Sequence, residues 1–138
     1  MGQIIDMGIT KARVVLKGKK NKYSSTALVD TGARMSLIDE SIANHVGVEP
    51  TGRKIEFMSV SGQKVQALEG IVYEFRIEEE LLKYEAVAIA EIPKAVKETL
   101  MNSGLDGKVI VGLLTPERAN LLPDTTTGQL KKVPSFIL

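Results

Sequence analysis

Cysteine is missing from this chain and histidine occurs once, as His45. The first absence excludes disulfides, thiol catalysis and thiolate metal sites and leaves the redox compartment unmarked; the second excludes a His-rich metal cluster. An excess of charge of either sign is missing too. The 18 basic and 17 acidic side chains leave a formal net charge of +1, no field with which to recruit nucleic acid or an anionic membrane. The basic run Lys17-Gly18-Lys19-Lys20-Asn21-Lys22 carries Gly and Asn between two apolar stretches and reads as a solvated hairpin turn. Nowhere do about 18 apolar residues follow one another, as a membrane-spanning helix requires. The start Met1-Gly2-Gln3-Ile4-Ile5-Asp6 has no basic segment leading into a long apolar run. The expectation is a soluble, cytoplasmic protein with no nucleic-acid partner, no membrane span, no metal and no organic cofactor. Internal repeats, low-complexity tracts and linker-like segments are also lacking.

What the 138 residues do contain is an ordinary globular composition, 43% hydrophobic and 25% charged, which suffices to fold. The length suits one domain over 1–138, since domains run to roughly 100–200 residues and two would leave each core marginal. Residues 10–16 are rich in β-branched side chains and 23–29 read as a second extended segment, which predicts a hairpin ending at Asp30. Asp39 is a candidate N-cap for a short helix carrying Ile42, Ala43 and Val46, with Gly47 at its left-handed exit and His45 solvated in its last turn. Ile55 and Phe57, then Val65 and Ala67, alternate with polar residues about a turn and predict a second hairpin. Ile71, Tyr73, Phe75 and Ile77, followed by 84–90, predict a third that bends through Glu79-Glu80-Leu81-Leu82. The carboxylates of Glu78-Glu79-Glu80 at that bend read as solvated, with no more than a loose attraction for a cation.

Pro93 suits the first turn of a helix through Val96 and Leu100 that leaves by Asn102-Ser103-Gly104. Val109-Ile110-Val111 reads as a buried strand reaching Gly112. Thr115 and Pro116 read as the N-cap and first position of a brief helix, and 129–133 as a last strand after a turn over 124–128. The fold class that follows is all-β, built mainly from hairpins with two or three short helices, and closed or partly closed into a barrel.

Asp30-Thr31-Gly32 follows the apolar Ala27-Leu28-Val29 directly, so a strand carries the carboxylate into a tight turn instead of out into solvent. Alone the tripeptide is a weak signal, because all three are common turn residues. With Ala33, Ser36 and Leu37-Ile38, however, the segment resembles the active-site signature of the retroviral-type aspartic proteases, the retropepsin family. The resemblance extends in the family's order. Ser61-Gly62 occupies the place of the flap tip, and Val109-Ile110-Val111-Gly112 is similar to the apolar strand that threads behind the catalytic turn. It covers most of 23–122. Two departures stand out: the chain is longer than a viral member, chiefly through 91–107, and Leu113-Leu114 follow Gly112 where viral members are more polar.

The resemblance implies an acid-protease barrel and an aspartic endopeptidase. Peptide hydrolysis by carboxylates needs a pair sharing one proton, one ionised to take a proton from water and one protonated to polarise the scissile carbonyl. Asp124 heads Thr125-Thr126-Thr127-Gly128, a faint echo interrupted by Pro123, and Asp6, Asp39 and Asp106 lack the apolar-strand context. A chain of this length cannot hold two pepsin-like lobes. The solution that remains is a two-fold homodimer with Asp30 opposite its own copy. There the resemblance implies that Thr31 hydroxyls bond across the dimer and that Gly32 leaves room for the carboxylate and substrate. Ala33, Ser61 and Gly62 would meet an extended peptide, the last two through flap backbone groups.

Ala33 cannot donate the hydroxyl hydrogen bond that a serine there could give the carboxylate, so the pH-rate optimum is expected to be less acidic than in Ala33→Ser. Ser61-Gly62 reads equally as a plain hairpin turn. Val60, Ile71, Ile89 and Leu113 read as subsite lining or as core, and Phe136-Ile137-Leu138 as a dimer strand or as packing on the chain's own core. Two rival readings remain: a catalytically silent dimerisation or peptide-binding module of the same fold, and an ordinary Asp-Thr-Gly turn in some other β-rich domain.

Overall fold

The computed structural model describes residues 9–58 and 64–134. Its first hairpin is the expected one: β1 (Thr10–Lys17) and β2 (Lys22–Asp30) run antiparallel in unbroken register from Lys17↔Lys22 to Thr10↔Val29. Alternation turns Thr10, Ala12, Val14 and Leu16 inward, the period of two that a half-buried strand requires. After β2 come a loop, the short β3 (Leu37–Asp39) and α1 (Glu40–Val46). The helix is capped as its sequence predicts. Asp39 accepts from the Ser41 N–H, Ile42, Ala43 and Val46 are buried, and Gly47 closes it at φ 83°. His45 is exposed. The basic turn between β1 and β2 is not merely solvated, however. The Lys19 and Lys20 N–H groups donate to the Gly47 and Val46 carbonyls, and Asn21 Nδ2 to that of His45. A polar turn thereby satisfies the carbonyls that a helix C-terminus leaves without partners.

β4 (Glu49–Met58) and β5 (Lys64–Ile77) form the second hairpin. β5 is one strand of 14 residues where the pattern implied two. It can serve two hairpins because one edge pairs first with β4 and then with β1, while the other pairs with β6 (Glu80–Ala90). The bend between them is tighter than expected. Ile77 pairs with Glu80, so only Glu78 and Glu79 form the loop, and Leu81 and Leu82 belong to the strand. Glu78 and Glu79 pair with Arg13, and Glu80 with Lys132. Among the described residues no cluster of acidic, His or Cys side chains is arranged to hold a metal ion.

α2 (Lys94–Asn102) starts after Pro93, which occupies the cap position, and leads to β7 (Val109–Gly112). α3 (Leu114–Arg118) has Leu113 at its cap, so Thr115 lies inside the helix and does not cap it; its hydroxyl is committed to buried partners instead. β8 (Leu121–Asp124) and β9 (Gln129–Lys132) make a separate two-stranded hairpin.

Six strands close on themselves in the order β1-β2-β7-β3-β6-β5 and back to β1, with β4 outside on β5. The fold is thus the mainly β barrel with short helices that the sequence implied. β7 is inserted between β2 and β3, parallel to the first and antiparallel to the second. Inside the barrel Val14, Leu16, Val29, Ile38, Phe75, Ile77, Val109 and Val111 form the main core, joined by α1. Phe75 and Ile77 are fully buried, each worth about 2–3 kcal/mol of transfer free energy. Ala67, Ala88 and Ala90 make a smaller cluster with Leu37, Ile55 and Phe57 under the β4–β5 hairpin. Among the described residues no helix is long and apolar enough to cross a membrane.

Candidate active site

Ala27 and Val29 are drawn into the core, which brings β2 to its end at the barrel edge and leaves its last residue, Asp30, exposed. The chain turns at once. The Gly32 N–H donates to Asp30 Oδ1 at 2.9 Å, and the Ala33 N–H to the Asp30 carbonyl at 3.1 Å. A Cβ at Gly32 would stand 3.2 Å from that carboxylate oxygen, tighter than most side-chain contacts, so glycine lets the amide come up to the charge. A hydrogen bond from backbone N–H to an ionised acceptor is among the stronger ones, and it fixes one carboxylate oxygen while the group stays open to solvent.

The loop after Asp30 is fastened to the exit of β7. Leu113 and Leu114 N–H donate to the Ala33 and Arg34 carbonyls at 2.8 and 3.0 Å, and the Gly112 N–H donates to Ser36 Oγ at 3.0 Å. Gly112 itself pairs with Asp30 in the β2–β7 ladder. A Cβ there would lie 2.3 Å from the Met35 carbonyl carbon and oxygen, so only glycine lets the two backbones meet. Beneath the loop lies a chain of buried polar groups. Ser36 Oγ is 2.7 Å from Thr115 Oγ1, Thr115 donates to Glu85 Oε2 at 2.7 Å, and Arg118 pairs with Glu85 Oε1. Sequence reasoning missed Thr115, Glu85 and Arg118 as parts of the site, because they come from two elements, α3 and β6, far in sequence from the signature; Ser36, inside the signature, was the one local signal.

Asp30, Thr31, Gly32 and Ala33 therefore share one loop. Thr31 is exposed, and among the described residues its hydroxyl has no hydrogen-bond partner. Ser61, Gly62 and Val60 lie outside the described residues, as do Phe136, Ile137 and Leu138; the hairpin that carries Ser61-Gly62 is described up to Met58 and again from Lys64. Ile71 and Leu113 are half-buried, and Ile89 packs on the main core.

The other described aspartates have structural partners. Burial pushes the Asp39 carboxyl up, but the Ser41 hydroxyl, the Ile92 N–H, the Lys97 ammonium and the Ser41 N–H, at 2.6 to 3.1 Å, outweigh it and hold the group at about 2. Asp106 accepts from the Tyr23 hydroxyl at 2.5 Å and from the Lys108 N–H at 2.8 Å; burial and then this carboxylate push the Tyr23 phenol well up. Asp124 accepts from the Thr126 hydroxyl and N–H in its own turn, which lowers its pKa. Asp6 lies outside the described residues.

Residues 16–101, which include β2 and the whole Asp30 loop, match the model of the family described as "gag-polyprotein putative aspartyl protease". Among solved structures, the crystal structure of a retropepsin-like aspartic protease from Rickettsia conorii is similar, at 13% identity over 84% of this chain and 88% of that one, with a TM-score of 0.45. No curated protein matches the chain.

Proposed function

The chain belongs to the gag-polyprotein aspartyl protease family, and from that premise we propose that it is a homodimeric aspartic endopeptidase whose active site pairs Asp30 with Asp30 of a second copy. The observation that carries this reading is the setting of Asp30: exposed at a strand end, one oxygen held by the Gly32 N–H, beside a glycine where backbones touch. Such a carboxylate is positioned yet free to meet a ligand.

One carboxylate cannot be both acid and base in the same step. Two of them facing across a symmetry axis share a proton because like charges so close do not both ionise. The ionised member takes a proton from water, the protonated member donates to the scissile carbonyl, and the attack yields a tetrahedral diol that collapses as the amide nitrogen is protonated. Asp39, Asp106 and Asp124 are engaged elsewhere, which favours a second copy as the source of the partner. Thr31, with its hydroxyl at the exposed rim of the loop, would then brace the two loops. Ser61 and Gly62, which fall between β4 and β5 in the sequence, would close over an extended peptide and exclude water, and Ala33 would line its path.

The test is cleavage of a proteome-derived peptide library by the wild type and by Asp30→Asn, with molecular mass measured by sedimentation in the assay buffer. Cleavage by a wild-type dimer and none by Asp30→Asn is expected. A dimer that cleaves nothing across a broad pH range would favour the silent binding module, and a fully active monomer would overturn the shared site.

A further inference from the structure

Glu85 is a buried carboxylate, 3% exposed, that the proposed chemistry does not use. Its two oxygens have different partners: Oε1 pairs with Arg118, whose side chain is half exposed, and Oε2 accepts from Thr115. A charge this far from water is tolerated only when paired and hydrogen-bonded, and both conditions are met here. Opposite a permanently charged guanidinium, Glu85 is a carboxylate and can only accept.

That restriction sets the direction of every hydrogen bond above it. Thr115 has one hydroxyl proton and must give it to Glu85. The Ser36–Thr115 contact, in which either oxygen could be the donor on geometry alone, is therefore donated by Ser36. The Ser36 oxygen keeps its lone pairs for the Gly112 N–H. The chain reads Gly112 N–H to Ser36, Ser36 to Thr115, Thr115 to the Glu85 carboxylate, with each donor and acceptor used once. Ser36 and Thr115 are both fully buried, so water does not compete. The end of this chain is the residue that pairs with Asp30 in the ladder.

We infer that Glu85, with Arg118 as its counter-ion, is a positioning residue that orients the Gly112 amide, and through it the Asp30 loop, by polarising the Thr115–Ser36 hydroxyl relay. Its consequence for turnover rests on the peptidase reading; its consequence for the Gly112 amide does not. With the charge removed, Thr115 is free to turn its proton toward Ser36, and the relay no longer has a single order. The loop is still covered by its backbone bonds to Leu113 and Leu114, so the effect falls on alignment more than on folding.

The experiment compares Thr115→Val, which keeps the shape and removes the hydroxyl, with Thr115→Ser, which restores it, alongside Glu85→Gln. Two readouts are taken: the 15N–1H resonances of Gly112 and Gly32, and kcat and KM on a library peptide that the wild type cleaves. Thr115→Val and Glu85→Gln are expected to move the Gly112 resonance and lower kcat about tenfold with KM within about twofold, while Thr115→Ser stays near the wild type in both. An unmoved Gly112 resonance in Thr115→Val, or a serine variant as impaired as the valine one, overturns the inference. If Thr115→Val does not fold, Arg118→Gln at its half-exposed position carries the same comparison. Were the wild type to cleave no peptide, the peptidase reading would fall and the relay would be judged on the two amide resonances alone.

Discussion

Asp30 stands beside Gly112 in the parallel β2–β7 ladder, and the backbone of residues 34–35 lies so close over that glycine that a Cβ would sit 2.3 Å from the Met35 carbonyl. The carboxylate is thus carried by two strand ends clamped by their own loop. The atoms that crowd Gly112 are backbone, which cannot move aside as a flexible side chain can.

Gly112→Ala is accordingly expected to destabilise the protein by about 3 kcal/mol, the upper end of what overpacking costs. Urea unfolding of the variant and the wild type measures it. A difference below about 0.5 kcal/mol would mean the two backbones are not in contact.

Asp39 gives a stability dependence at the acid end. Its folded pKa of about 2 lies below the ordinary 3.8, so the unfolded chain takes up the proton first. The group's contribution, about 2 kcal/mol by linkage, is present above pH 4 and is lost as the pH falls through 2. Asp39→Asn should lack this acid slope in a series of unfolding titrations; parallel curves for the two proteins would contradict it.

Tyr23 acts at the opposite end. Burial and the Asp106 carboxylate raise its phenol above the ordinary 10, so its contribution is complete below pH 10 and declines as the pH rises further. Tyr23→Phe should cost about 1 kcal/mol at neutral pH and show a flatter alkaline limb. Unfolding measured at pH 7 and at steps above 10 gives both numbers.

Ala33 closes the turn, its own N–H donating to the Asp30 carbonyl. A hydroxyl at this position could donate to the charged carboxylate, which favours ionisation. Ala33→Ser should therefore have a more acidic optimum in kcat/KM against pH, and an unchanged or more alkaline optimum would refute the role given to the missing hydroxyl.

Much of the barrel can be read locally. The alternation of Thr10, Ala12, Val14 and Leu16, the cap pair Asp39 and Gly47, and the apolar run of Val109-Ile110-Val111 each name an element without reference to the rest of the chain. The failures have a common cause. β3 is three residues long, too short to show a period, and exists because β7 and β6 flank it. β5 is continuous because its edges have three different partners. Thr115 looks like a cap, but buried hydrogen-bond partners on β6 and in the Asp30 loop outbid that local use.

By itself the sequence determined that an apolar strand ends in Asp30-Thr31-Gly32, since strand period and turn chemistry are properties of neighbouring residues. It also excluded thiol chemistry and limited the chain to one such motif. Only the tertiary structure decided that Gly112 lies beside Asp30 and that Ser36, Thr115 and Glu85 form one buried chain beneath it, with the half-exposed Arg118 as counter-ion. Those contacts join residues from three segments far apart in sequence, 30–36, Glu85 and 112–118, and no local pattern encodes a partner. They arise when the barrel closes and buried polar groups, cut off from water, must find one another.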